Sequence, residues 1–501
     1  METGKKGRFP HFLILSFCFF VSSAQAHYIG GYYECYYEAE RDGEFRFNIS
    51  QPKHYLQLKL WSDPLPYSGI YSQFSASTWE DDARVKFDRG YAEKTFYKKS
   101  KLMLLYKEER HWVSSPLLYL VDTGKAQRGA KGARFEAWDI GHFRSELIAT
   151  LDNAEYDDEW YGNYFDTDGN TVIGRLDYSS RVVKIGTNFI KRQKQYKKYS
   201  LTSSSASLLS DKTYDNTVNS ADVRFDLRFF SLVAEGARTD SDWHETSSGN
   251  TAWQTEVRDF FFGPLNLSFS YYDYGRNFHA VTSKKFSGYD GNSEFDRKGF
   301  KGECLFLVPQ KAVNLTYKYS FYETGVESVS NNSSLREDYT VNYSSARADN
   351  FWSFSEVYIR MMQGINFRAG IETNSGLSDR KNYLMQIDGE TPLHYSGLVV
   401  KIVDVGKSSY PGQKLILAVI QKINITDHLQ MFARFSLGSA ETMTWHSGFF
   451  QLKYFIGYDF EIYLECGDSW PTEALYSETR FADNTDLSFA KNVKFTMKMN
   501  F

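Results

Sequence analysis

The end of the chain, Val493-Lys-Phe-Thr-Met-Lys-Met-Asn-Phe501, alternates without a break between apolar and polar side chains. Val493, Phe495, Met497, Met499 and Phe501 fall on one side of such a segment, and Lys494, Thr496, Lys498 and Asn500 on the other. A period of two is that of a β-strand with one face in an apolar medium and the other in a polar one. Chain ends usually fray into water. An amphipathic strand that finishes on an aromatic residue therefore predicts that this terminus is anchored in an apolar environment.

The opposite end has the features of an export signal. Lys5, Lys6 and Arg8 form a basic stretch, Phe12 to Val21 an apolar one, and Ala24-Gln25-Ala26 places small residues at both cleavage positions. Residues 1–26 are expected to be a secretory signal peptide cut after Ala26, and residues 27–501 a single mature domain. The apolar run is too short for a membrane anchor. Cys18 lies within it and follows Phe17, a poor setting for lipidation.

Composition narrows the classes further. The formal net charge is −4, which argues against a nucleic-acid surface. Mean hydropathy is −0.49 and no later apolar run reaches membrane-helix length, so spanning helices are excluded. A membrane barrel is not excluded, because only alternate residues of its strands face lipid. The chain has 36 Tyr, 40 Phe and 10 Trp against only 10 Pro, a balance that favours pleated surfaces and bilayer interfaces over a turn-rich soluble sandwich.

Two-faced runs recur from about residue 31 onward. Ala221, Val223, Phe225, Leu227 and Phe229 alternate with Asp222, Arg224, Asp226 and Arg228, and Val313 to Phe321, Ile365 to Ile371, Leu429 to Leu437 and Tyr458 to Cys466 read in the same way. Most runs have the length of about 9–11 residues that crosses a bilayer. Tight turns are expected near Asp139 to Gly141, Phe262 to Pro264, Pro309-Gln310 and Asn424 to Asp427. Longer polar segments are expected near 152–170, 192–218, 239–251, 274–297, 405–413, 437–447 and 467–490. The alternation loses step between 345 and 383, where Arg347 to Asn350 and Gln363-Gly364 both read as short connections.

These features together resemble the bacterial outer-membrane β-barrels of porin-like type. The terminal strand is similar to their closing strand, whose alternating residues and final aromatic form the signal read by the barrel-assembly machinery. The resemblance implies an all-β fold, a transmembrane antiparallel up-and-down barrel of about 18–26 strands, located in the bacterial outer membrane with lipid as its surroundings. It also implies short turns at the periplasmic end, where Phe501 would lie, and long loops outside the cell. Strands begin soon after residue 27, which leaves no room there for a globular plug or a periplasmic repeat array.

With apolar faces turned to lipid, the opposite faces line the lumen. Asp222, Arg224, Asp226, Arg228, Lys301, Glu303, Lys318, Arg368, Glu372, Arg434, Lys453, Glu461 and Glu465 are the expected pore-lining residues. A lipid-facing Arg or Lys at mid-membrane would cost about 2–4 kcal/mol, which drives them inward. The segment Arg110 to Ala130 is a candidate constriction. Ser114-Ser115-Pro116 reads as a helix start and Leu117 to Val121 as a short apolar run, allowing one or two helical turns. It would fold into the lumen or pack on the outer rim.

Other motifs are weaker. Asp166-Thr-Asp-Gly-Asn170 begins like a calcium loop, but Thr171 stands where glycine is needed, so an Asp-Gly turn in an acidic loop is expected. Cys35, Cys304 and Cys466 read as small lipid-facing residues, with a Cys35–Cys466 disulfide as a lesser alternative. No metal site, cofactor or catalytic constellation is expected, and a pair such as Asp242 with His244 reads as solvated loop. The leading functional expectation is a channel for passive or facilitated diffusion of small polar solutes, a sugar among them. A non-conducting surface barrel serving as adhesin, receptor or scaffold is the alternative, and a barrel enzyme a more distant one.

Overall fold

Strands with one apolar face share a lipid-facing surface, yet an open sheet in lipid would leave unpaired backbone groups at both edges. Closing the sheet on itself removes the edges. The computed structural model describes residues 27–501 except 42–46, 50–52, 79–83, 107–114, 122–129, 157–164, 203–204, 242–248, 281, 284, 287–293, 295, 309–312, 330–340, 363, 377–379, 406–411, 441–442, 458 and 468–491. The signal-peptide reading of 1–26 and the Asp242/His244 pair lie outside the described residues. Among them, 25 strands follow one another from His27–Arg41 to Asn492–Asn500, with no helix.

Except that Phe47–Ile49 and Lys53–Ser62 both pair with His27–Arg41, each strand pairs antiparallel with its sequence neighbours. The last, Asn492–Asn500, pairs with the first from Tyr32↔Asn500 to Glu40↔Asn492. The short strand Phe47–Ile49 and the strand Lys53–Ser62 both lie beside His27–Arg41 and share one position, so the closed barrel has 24 strands. Tight turns at 141–142, 263–264 and 427–428 sit at the end of the barrel where Phe501 lies. The strands that end at Tyr106, Tyr274 and Gly467, each followed by a long connection in the sequence, have those ends on the opposite side. Short turns on one side and long loops on the other place Phe501 at the periplasmic end.

The alternation does not lose step. Arg347 to Asn350 is no connection but lies within the 22-residue strand Val341–Met362, which puts the next turn, at Gly364, back in phase. Likewise 192–218 is not a polar loop. It belongs to the hairpin Val183–Thr202 and Ser205–Asp226, paired as far as Thr202↔Ser205. At 20 and 22 residues these strands are about twice what the bilayer needs, so the hairpin extends beyond the hydrocarbon on the loop side. There the apolar face is no longer required, and polar residues continue the strand. The same holds at 437–447, which is spanned by Leu429–Ala440 and Met443–Ile456. Asp166 to Asn170 sits inside the strand Phe165–Ser179 rather than forming a turn.

The two faces separate as the pattern demands. Leu147 and Leu151 are exposed on the outer side of Phe143–Tyr156, whereas Glu146, Ile148 and Thr150, which alternate with that face, are buried on the inner side. Leu104, Phe189, Ile387, Leu417 and Phe435 continue the exposed apolar surface. Cys35, Cys304 and Cys466 are free thiols. Cys35 lies opposite Met497 and Cys466 opposite Val493, so the two flank the closing strand at different levels and form no disulfide.

Candidate functional site

Inside the barrel, two segments from different long connections fold back onto one sector of the wall. From 107–129, Ser115 to Val121 enters as a single turn over Pro116–Leu118, not the one or two helical turns expected, with Leu117, Leu118 and Leu120 at most 1% exposed. From 275–296, the described residues between Gly275 and Phe286 bury Phe278, Ala280 and Phe286. Leu118, Leu120, Phe278, Ala280 and Phe286 join Met103, Leu105, Ile148, Ile173, Ile190, Val218, Ala237, Ala252, Tyr272 and Tyr274 of the inner wall in one apolar cluster. Burying these side chains against one another removes apolar surface from the aqueous lumen, at about 25 cal/mol per Å².

Polar contacts fix this luminal shelf in place. Glu235, inward-facing on Ser231–Ser241 and 2% exposed, accepts three hydrogen bonds. They come from the Ser115 hydroxyl (2.6 Å) and from the Leu117 and Leu118 amides (2.8 and 2.9 Å). A carboxylate thus satisfies the free amides that open the turn, which is where negative charge is favoured. On the other side Arg258 donates to the Pro116 carbonyl at 3.2 Å. The two segments are also joined to each other: Thr282 donates to the Leu120 carbonyl (2.7 Å) and Ser283 to that of Tyr119 (2.9 Å). Lys285 lies 4.8 Å above the Tyr119 ring and 3.7 Å from Glu294. Burial draws the Lys285 ammonium below the ordinary lysine pKa, and the Glu294 carboxylate opposes that shift.

Tyr119 is the exception to the burial of the shelf. It is 54% exposed and holds a left-handed φ of 51°. A non-glycine residue in that region is strained, and such strain collects at functional positions. With Leu118 and Leu120 buried on either side of it, Tyr119 keeps an exposed ring whose partner is the Lys285 ammonium.

Periplasmic to the shelf, the same wall carries a ladder of ion pairs. Arg134 meets Glu136 and Glu146, the latter at 2.8 Å. Arg175 forks onto Asp222 at 2.8 and 3.2 Å and also pairs with Asp177 at 2.5 Å. Gly186 leaves the room for this fork, since a Cβ there would stand 2.2 Å from the Arg175 guanidinium. Asp226 gathers Arg224 (2.5 Å), Lys184 (3.0 Å) and the Ser231 hydroxyl (2.9 Å). Arg258 pairs with Glu256.

Of the residues read from sequence as lumen-facing, Asp222, Arg224 and Asp226 meet in this ladder. Arg228 does not: the strand ends at Asp226, and Arg228 lies in the following turn over the Phe229 ring. The others are spread around the inner wall. Glu303 and Lys318 pair at 3.1 Å with side chains 42% and 43% exposed, and Lys301 faces Ser270 and Ser320. Arg368 lies 4.0 Å from Glu356 and over Tyr358. Glu372 accepts from Trp352 and Asn382, each at 2.9 Å. Arg434 is buried opposite Ile420, Lys453 pairs with Glu461 at 3.2 Å, and Glu465 accepts from Gln451 at 2.6 Å. In the closing strand, Val493, Phe495, Met497 and Met499 face outward, and Lys494 and Lys498 lie inward over Tyr36 and Tyr32 at 4.2 and 4.9 Å.

Glu235, Arg134, Arg175 and the segment ending at Phe286 were not singled out from sequence. Their signal was faint: Glu235 is a lone charge among small residues, and Phe278 and Phe286 are isolated aromatics within a polar connection.

No family model matches the sequence, and no curated protein does. Among solved structures, the E. coli P pilus tip assembly intermediate PapC-PapD-PapK-PapG is similar at 9% identity with a TM-score of 0.54, covering 100% of this chain and 63% of that one. The siderophore receptor PirA from Acinetobacter baumannii is similar at 8% identity and 0.50, covering 94% and 80%. These likenesses concern the fold. A closed barrel of 24 antiparallel strands, apolar outside and charged inside, is a bacterial outer-membrane β-barrel, here with no separate plug domain among the described residues.

Proposed function

We propose that this protein is an outer-membrane channel for diffusion of small polar solutes, narrowed on one side by the luminal shelf. The observation that carries the reading is the asymmetry of the lumen. The shelf covers the wall from Ser100–Tyr106 to Leu265–Tyr274, yet Glu303 and Lys318 further round remain more than two-fifths exposed. A barrel of this strand number is wider than its side chains can fill, so a one-sided shelf narrows the passage and leaves water beside it. Mixed charges and the exposed Tyr119 ring suit a neutral polar solute such as a sugar better than an ion of one sign. The likeness in fold to a pilus assembly intermediate and to a siderophore receptor is compatible with a passage function in general terms. The barrel-assembly machinery would insert the chain through its closing strand. No residue is assigned a catalytic role.

Swelling of proteoliposomes in isotonic sugar solutions tests the reading. Entry of small sugars with a size cut-off is expected, and that cut-off should rise when Ser115 to Val121 is replaced by a short glycine-serine linker. Vesicles carrying folded protein that exclude all sugars would overturn it.

A further inference from the structure

Two neighbouring periplasmic turns place tyrosine where turn chemistry calls for glycine. In Leu65-Pro66-Tyr67-Ser68 the Ser68 amide donates to the Leu65 carbonyl at 3.0 Å, and Tyr67 has a φ of 60°. That is the third position of a turn with proline second, where glycine or asparagine is favoured. In Phe96-Tyr97-Lys98-Lys99 the Lys99 amide donates to the Phe96 carbonyl at 3.0 Å, and both central residues have positive φ, 51° and 57°. Asn-Gly is the preferred sequence for such a pair. Apart from Tyr119 of the shelf, the other non-glycine residues with positive φ among the described residues, Asp139, Asp259 and Asp296, are of a type that tolerates this conformation.

The strained residues are also exposed and adjacent. Tyr67 is 62% and Tyr97 95% exposed, and the Thr95 amide donates to the Tyr67 carbonyl at 2.8 Å, joining the two turns. Lys98 lies 5.6 Å above the Tyr67 ring, Lys99 is exposed beside it, and Lys94 donates to the Pro66 carbonyl at 2.7 Å. Lys94 stands opposite Leu102 on the outward face, where Phe96, Leu102 and Leu104 are exposed to the hydrocarbon. The patch therefore begins at the level where that apolar surface ends.

We propose that these two turns form a binding site for the headgroup of an anionic phospholipid of the periplasmic leaflet. Tyrosine rings with one polar end are suited to the interface. Three ammonium groups at that level attract phosphate, and a zwitterionic headgroup offers less to them. Between the tip side chains the contact is the exposed stacking of Lys98 on Tyr67, Tyr97 is 95% exposed, and the backbone disfavours both residue types, so the side chains serve a contact outside the barrel.

The full chain reconstituted in phosphatidylcholine, with and without phosphatidylglycerol, tests this. The probe is the phosphatidylglycerol-dependent rise in the unfolding midpoint, together with binding of short-chain phosphatidylglycerol in detergent. Tyr97→Asn combined with Lys98→Gly suits the turn, so its midpoint in phosphatidylcholine should equal or exceed that of the unaltered chain. Its affinity for phosphatidylglycerol should fall about fivefold or more, since one basic residue near a membrane surface is worth that much. Lys98→Gln with Lys99→Gln removes two basic residues and should weaken binding by about 25-fold, without altering glycine content. An unaltered chain that responds equally to both lipids, or variants that keep the full response, would overturn the proposal; the first result would point instead to a soluble periplasmic partner.

Discussion

Gly31 and Phe501 exchange both backbone hydrogen bonds across the seam of the barrel, 2.8 Å from the Gly31 amide to the Phe501 carbonyl and 3.1 Å in return. The first and last strands are held in register by this pair at their periplasmic ends. Deleting Phe501 removes two hydrogen bonds, about 1–3 kcal/mol in all. Gly31→Val is expected to act more strongly, because a Cβ there would stand 2.0 Å from the Gln57 carbonyl of the neighbouring strand. Both changes should lower the temperature at which the folded band converts to the unfolded one in semi-native gels.

Glu235 anchors the shelf. Glu235→Ala leaves the Ser115 hydroxyl and two amides without their acceptor, a loss of about 3 kcal/mol or more. The barrel should still close, since no strand pairing depends on this side chain. Limited proteolysis is expected to cut near Leu117 to Leu120 in the variant, at sites protected in the unaltered chain.

Arg175 and Asp222 form an ion pair as enclosed as Arg134 with Glu146, with side chains 6% and 9% exposed. Arg175→Ala should cost about 3–5 kcal/mol, because Asp222 is left buried without its partner. Adding Asp222→Asn should recover part of that loss, as seen in denaturant midpoints of the double variant against each single one.

Lys318 and Glu303 are a solvent-exposed pair, so their contribution to stability is at most about 1 kcal/mol. Lys318→Glu is therefore expected to leave the unfolding midpoint unchanged within error. Reversal potentials in a salt gradient should shift toward cation preference, because two carboxylates then face the open side of the lumen.

Much of the barrel was legible in the sequence because lipid imposes its alternation residue by residue, as in Val493 to Phe501. Legibility failed where lipid no longer applies the constraint. Arg347 to Asn350 reads as a turn yet belongs to Val341–Met362, whose upper part needs no apolar face. Arg228 continues the alternation by one step beyond Asp226, although the strand has already turned. The shelf was half legible: Pro116 and the leucines after it marked one segment. Phe278 and Phe286 acquire meaning only through contacts with residues distant in sequence, which no local period reports.

Single-channel recording of the refolded full chain in a planar bilayer tests the central claim most directly. Discrete conductance steps are predicted, with larger and noisier open levels in Glu235→Ala as the shelf comes free. A preparation that shows the heat-dependent mobility shift of a closed barrel, yet gives no conductance steps in either form, would contradict the account of an open lumen beside the shelf.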